Sequence, residues 1–211
     1  MSEAILAPKL RFPEFSGNWE EKKLGDIAYF FSGGTPISTN RAYYSGDIPF
    51  IGSGKINDSA VEQFITQEAL EDSSAKMIDK GDLLYALYGA TSGEVGISRL
   101  SGAINQAVLC IRSQENIYFL YEWLQDKKAR ILSTYLQGGQ GNLSAQIIKS
   151  LKINLPTKLE QQKIATFLTE VDKKIEQLNK KQELLSKNKK GLLKKIFNKE
   201  IRFKADDGSD Y

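Results

Sequence analysis

The stretch TKLEQQKIATFLTEVDKKIEQLNKKQELLSKNKKGLLKKIFNK, residues 157–199, decides the organisation of this chain. Its apolar side chains fall at Ile164, Leu168, Val171, Ile175, Leu178, Leu185, Leu192 and Ile196, with gaps of 4, 3, 4, 3, 7, 7 and 4. That is a heptad seam: with Leu168 and Ile175 at position a, residues Val171, Leu178, Leu185 and Leu192 occupy d, and polar Gln182 and Lys189 stand at the remaining a positions. Pro156 and Thr157 suit a helix start and no proline follows, so the pattern predicts one helix of about 40 residues and about 60 Å. A compact domain of the preceding ~150 residues has a gyration radius of only about 15 Å, so part of such a rod is expected to project and to need a partner helix over its apolar stripe. The alternative is a hairpin turning near Asn188 to Gly191 and folding back on its own domain.

Charge marks the same boundary. The net charge is +3, but residues 157–204 hold 14 Lys/Arg against 6 Asp/Glu. Residues 205–211 hold three acids and no base, and residues 1–156 hold 15 bases and 17 acids. The composition break at Pro156 therefore separates a near-neutral globular part, 1–156, from a basic helix, 157–199, and a short tail, 200–211.

Composition excludes several classes. With 211 residues, 41% of them hydrophobic, and a mean hydropathy of -0.37, the chain is long and apolar enough for a packed core. The longest apolar stretch, Leu83 to Tyr88, falls far short of the ~20 residues that span a bilayer, and Met1 to Leu10 lacks a signal-peptide core; a cytoplasmic protein with no membrane partner is expected. The chain has one cysteine, Cys110, and no histidine, which excludes a disulfide framework, a multi-cysteine zinc site and every Ser-His or Cys-His nucleophile pair. Gly52-Ser53-Gly54-Lys55 lacks phosphate-loop spacing, with Ile56 where Ser or Thr belongs. Asn154-Leu155-Pro156 lacks the second proline and aromatic of an adenine methyltransferase motif. No metal, no cofactor and no catalytic residue is expected.

Between Lys22 and Leu155, strand-like runs occur at Ala28 to Phe31, Ile48 to Ile51, Asp82 to Tyr88, Glu94 to Ser98 and Ile104 to Arg112. Helical spacing links Ile117, Leu120, Tyr121, Leu124, Ile131, Leu132 and Tyr135, and Ser144 is placed to cap a short helix through Ile148. The mixture predicts an α+β domain with a twisted, barrel-like sheet, followed by the long coiled-coil helix. Three loops, Ser32 to Asn40, Gly89 to Gly93 and Gln137 to Ser144, are rich in Gly, Ser, Thr, Asn and Gln. Each alone is an ordinary connection. Together they supply the uncharged donors and acceptors that reading base edges requires.

Several strings in order resemble the DNA specificity (S) subunit of type I restriction-modification systems. They are Leu10-Arg11-Phe12-Pro13-Glu14-Phe15 through Trp19-Glu20 and Lys23-Leu24-Gly25; Ser32-Gly33-Gly34-Thr35-Pro36; Asp47-Ile48-Pro49-Phe50-Ile51; Gly89-Ala90-Thr91-Ser92-Gly93; Asn105-Gln106-Ala107; Asn142-Leu143-Ser144; and Ile153-Asn154-Leu155-Pro156 leading to Glu160-Gln161-Gln162-Lys163-Ile164. The resemblance implies a target recognition domain followed by a conserved helix, normally present twice, with the helices antiparallel and the two domains reading the halves of a bipartite site. It also implies a non-catalytic chain whose partners are double-stranded DNA, the modification (methyltransferase) subunits and the restriction subunits. With one domain and one helix the chain resembles half a subunit, and Ile201-Arg202-Phe203 echoes Leu10-Arg11-Phe12 as if a second repeat began there.

On that reading, base contacts are expected from Thr35, Tyr88, Thr91, Ser92, Gln137, Gln140 and Asn142. Arg41, Lys55 and Lys149 are candidates for phosphate contacts. Ile164, Leu168, Val171, Ile175, Leu178, Leu185, Leu192 and Ile196 are expected to pair two copies as an antiparallel homodimer. The main rival is a non-DNA adaptor whose helix recruits a protein and whose polar loops bind peptide.

Overall fold

The computed structural model describes residues 7–135 and 142–202. In chain order the first elements are β1 (Glu20–Lys23), α1 (Leu24–Ile27), β2 (Ala28–Ser32), β3 (Ile48–Ile51), β4 (Phe64–Ile65), α2 (Gln67–Glu71) and β5 (Lys76–Ile78). There follow β6 (Leu83–Ala86), β7 (Val95–Ile97), β8 (Gly102–Ile104), β9 (Val108–Ser113), α3 (Ile117–Tyr135), α4 (Ala145–Ser150), β10 (Lys152–Leu155) and α5 (Lys158–Phe197). By internal packing, residues 1–165 form one compact unit and 166–211 a second.

The first unit is built around the antiparallel sheet β2-β9-β6-β7. Its central strands read as unbroken apolar runs because both faces are covered. Leu83, Tyr85, Leu109 and Ile111 point into a core shared with Phe119, Leu120, Leu124 and Ile131 of α3 and Ile148 of α4. Leu84, Ala86, Val108 and Cys110 point the other way, onto Ile51, Ile78 and Ile104 of a second sheet. That sheet has the order β4-β3-β8-β5, with β3 and β8 parallel. The result is a helix layer, a sheet and a second sheet. The strand orders are open, in place of the barrel-like closure expected from the sequence. The physical reason is visible at Asn105: its side-chain Oδ1 accepts the Ala107 N–H at 3.0 Å, turning the chain sharply. Of the run Ile104 to Arg112, expected as one strand, only Ile104 belongs to β8 and Val108 to Arg112 belong to β9, and the two strands serve different sheets.

From α2 onward helix starts follow side-chain caps. Ser144 Oγ accepts the Ile147 N–H at 3.2 Å at the head of α4, as its sequence position predicts. Strand β1 pairs antiparallel with β10, Glu20 opposite Leu155 and Lys23 opposite Lys152, tying the early chain to the strand that leads into α5. α5 runs unbroken for 40 residues, so the hairpin alternative at Asn188 to Gly191 does not form. Among the described residues no helix is long and apolar enough to cross a membrane.

Candidate nucleic-acid interface

Antiparallel pairing brings four connections to one end of the first sheet. Ser32 stands opposite Leu109, Ala86 opposite Val108, and Tyr85 opposite Val95, so the end of β2, the start of β9, the end of β6 and the start of β7 share that edge. Backbone hydrogen bonds chain the loops together. Gly33 N–H donates to Asn105 O at 3.2 Å, Leu87 N–H to Ala107 O at 2.8 Å, and Leu143 N–H to Leu87 O at 3.1 Å. Two of the three polar stretches and the described part of the third therefore lie side by side, with the Asn105–Ala107 turn between them.

Within this edge the expected residues differ in role. Thr35 is exposed, and its Oγ1 donates to Gln106 Oε1 at 2.7 Å, which fixes the orientation of that amide. Asn142 is exposed directly before fully buried Leu143. Thr91 closes the short 3-10 turn Gly89–Thr91, and Tyr88 precedes it with its ring half-buried against the core. Ser92 Oγ donates to Leu87 O at 3.0 Å, so its hydroxyl is engaged in closing the loop. Gly93 has φ +84°, a backbone conformation that favours glycine, and a Cβ there would press on the end of the Leu132 side chain, whose Cδ2 lies 2.8 Å away. Gln137 and Gln140 lie outside the described residues.

The expected cations do not gather in one place. Lys55 is held by Glu62 at 2.9 Å and Asp58 at 3.1 Å; the Glu62 hydrogen bond is the main cause that raises its pKa. Its turn, Ser53–Lys55, packs beside the Gly89–Thr91 turn. Arg41 is exposed on a 3-10 turn whose preceding Asn40 accepts the Ala42 N–H at 3.2 Å. Lys149 lies on the helix-covered face, its Nζ 5.7 Å from the Phe30 ring centre.

The start of α5 shows what sequence periodicity missed. Glu160 and Gln161 are each 1% exposed. Arg11 grips the Glu160 carboxylate with Nε and Nη2, both at 2.7 Å, and Trp19 Nε1 donates to it at 3.3 Å. Gln161 Nε2 donates to Glu115 Oε2 at 2.8 Å and to Pro156 O at 3.0 Å, while its Oε1 accepts the Asn116 N–H at 3.0 Å. The string Glu160-Gln161 therefore anchors the first turn of α5 in its own domain, and Ile164 packs against the same core. Beyond it the seam is bare: Leu168 and Ile196 are half-buried, and Val171, Ile175, Leu178, Leu185 and Leu192 are 40–58% exposed. Phe167, Leu184, Leu193 and Phe197 are exposed as well, outside the a and d positions.

Among the described residues there is no group of three or more His, Cys, Asp or Glu side chains that holds a metal geometry. Arg112 pairs with Asp82 at 2.6 Å and Asp79 at 2.9 Å. Burial opposes ionisation of Asp82, but the Arg112 hydrogen bonds and the Asp79 N–H outweigh it and hold the carboxyl below its ordinary value.

Comparison with known proteins bears on this arrangement. The specificity subunit of the type I restriction enzyme MjaIX of Methanocaldococcus jannaschii is 30% identical over 196 residues, covering 85% of this chain and 44% of that protein. The MjaVIII specificity subunit of the same organism is 26% identical over 195 residues, covering 91% and 44%. The chain thus spans about half the length of the curated relatives it matches. The crystal structure of the HsdS subunit from Thermoanaerobacter tengcongensis shares the fold with a TM-score of 0.62 at 17% identity, over 89% of this chain and 46% of that one. A family model described as type I restriction modification DNA specificity domain matches residues 16–186, from β1 through the loop-bearing sheet and most of α5, and the chain belongs to that family.

Proposed function

We propose that this chain is the sequence-specific DNA recognition element of a type I restriction-modification complex, acting without catalysis of its own in the cytoplasm. The observation that carries this reading is the convergence of the uncharged polar loops, with exposed Thr35 and Asn142, on one edge of a rigid sheet. Side-chain amides and hydroxyls held on such an edge present paired donors and acceptors to base edges. Thr35, Tyr88, Thr91, Ser92, Gln137, Gln140 and Asn142 form the base-reading set, with Ser92 acting through the shape of its loop. Residues 1–156 are the recognition domain, 157–199 the pairing helix, and 200–211 a tail like the start of a second repeat.

The helix pairs with a second S-type helix through the seam from Leu168 to Ile196, and two copies of this chain suffice. Charge favours the antiparallel arrangement: residues 180–199 hold eight Lys and one Glu, whereas 157–179 hold four Lys and four acids. Parallel pairing sets the two basic halves together; antiparallel pairing sets each against a neutral one. The modification and restriction subunits then assemble on this pair and do the chemistry. A two-fold dimer reads a two-fold sequence, so the methylated motif is an interrupted palindrome when this is the only S-type chain present. Methylome sequencing of cells carrying the chain and its modification subunit tests this. A continuous motif, an asymmetric one, or no new methylation overturns it.

A further inference from the structure

Along α5 most of the lysines share one face. From residue 173 to 195 the heptad positions f and g carry Lys173, Lys174, Lys180, Lys181, Lys187, Lys194 and Lys195, and c between them carries Gln177, Leu184 and Gly191, with no acid at any of the three; Lys189 at a and Lys190 at b stand off this face. The acids of the same stretch and its start, Asp172, Glu176 and Glu183, all stand at e or b. These three positions, f, c and g, are neighbours around a helix, with f on the side away from the seam and g flanking its d position. All seven lysines are exposed. Glu176 and Glu183 stand four residues before Lys180 and Lys187, a spacing suited to ion pairs, yet no ion pair joins them. A row of uncompensated like charges costs the helix stability unless something of opposite charge lies against it.

We infer that this lysine face is a sequence-blind contact for the phosphate backbone of duplex DNA. The inference rests on the DNA-recognition reading above and adds a second, non-reading contact to it. Two observations select DNA. The row from Lys173 to Lys195 is about 33 Å long, close to the ~34 Å of one duplex turn, so its lysines reach the phosphates that flank the grooves the helix crosses. The recognition domain itself has 15 bases against 17 acids, and its candidate Lys55 is already bound to two carboxylates. Phosphate neutralisation supplies most of the affinity for duplex, and the domain has little charge to devote to it; the helix face has.

The test uses the full chain with Lys173→Gln, Lys180→Gln, Lys187→Gln and Lys194→Gln combined, all at f and so outside the seam. Binding to a random-sequence duplex is measured across salt concentrations, with helicity and sedimentation as controls. If four phosphate contacts are lost, the slope of log affinity against log salt becomes shallower by about 3 to 4. A control variant, Glu176→Gln with Glu183→Gln, does not make the slope shallower. An unchanged slope in the lysine variant overturns the inference. Should the slope stay unchanged while the variant fails to co-purify with the modification subunit, the face belongs to an acidic protein surface and the inference is equally overturned. Because the duplex carries no target site, the slope is independent of base reading; loop variants that lose target choice with the slope intact count only against the function proposed above.

Discussion

Replacing Leu185 with Ala tests whether the seam of α5 is an interface. Leu185 is 58% exposed in the single chain, so a little over half of its side-chain area remains to be buried by a partner. Full burial of a leucine side chain is worth about 1.5–3 kcal/mol, so this fraction is worth about 1 kcal/mol per helix and about 2 kcal/mol across a symmetric pair. At about 1.4 kcal/mol per tenfold, the dimer dissociation constant rises roughly thirtyfold. Alanine is the best helix former, so the helix itself is not weakened and circular dichroism of the monomer is unchanged. Sedimentation equilibrium of unmodified and variant chains gives the two constants directly. Leu178→Asp, which buries an unpaired carboxylate in the same seam, goes further and yields monomers. The reasoning is refuted if the unmodified chain is monomeric at micromolar concentration without partners, or if Leu185→Ala shifts the constant by less than about threefold.

Four further outcomes follow from side chains of the first unit. Tyr85 is fully buried with its hydroxyl unpartnered among the described residues, and burial pushes its pKa up to about 12; Tyr85→Phe removes an unsatisfied polar group and leaves stability unchanged or higher by about 1–3 kcal/mol in urea titration. Asp82 ionises below its ordinary value despite burial, because of Arg112 and the Asp79 N–H. Its contribution to stability is therefore complete above the unfolded carboxyl pKa of about 3.9 and is lost as pH falls through the lower folded value, so Asp82→Asn is less stable than the unmodified chain at pH 7 and the difference shrinks towards pH 2. Ser92→Ala breaks the loop-closing bond to Leu87 O and lowers thermal stability, whereas Asn142→Ala leaves folding intact and relaxes the methylated motif by about 1–3 kcal/mol of base discrimination, read as methylation of near-cognate sites.

Elements governed by local periodicity were legible in the sequence. The 3.5-residue spacing from Ile164 to Ile196 predicts α5, which runs from Lys158 to Phe197, because a seam, a start signal and the absence of proline need no distant partner. Ser144 and the spacing from Ile117 to Tyr135 likewise mark α4 and α3. The polar loops were legible as loops from composition. The short strands β1, β4, β5 and β10 were not, and β8 only at Ile104, since their two to four residues stand outside any longer apolar run of the kind that holds β6.

What only the tertiary structure decided is which of these pieces meet. Strand pairing and the Leu143–Leu87 backbone bond set the Ser32, Gly89 and Asn142 loops at one edge, and the turn at Asn105 separated Ile104 and Val108 into two sheets, because each depends on partners distant in the chain, up to Ala28 with Ser113. It also placed Lys55 beside Glu62 and Asp58 and set Lys149 over Phe30, contacts that composition alone does not show. Glu160 and Gln161 look like ordinary solvated helix residues in the sequence. The approach of Arg11 across 149 positions turns Glu160 into a buried anchor. Sequence alone determined the helix and its bare seam, since those follow from neighbours three to seven residues apart; the anchor, the loop edge and the division of charge depend on long-range packing, which no local pattern encodes.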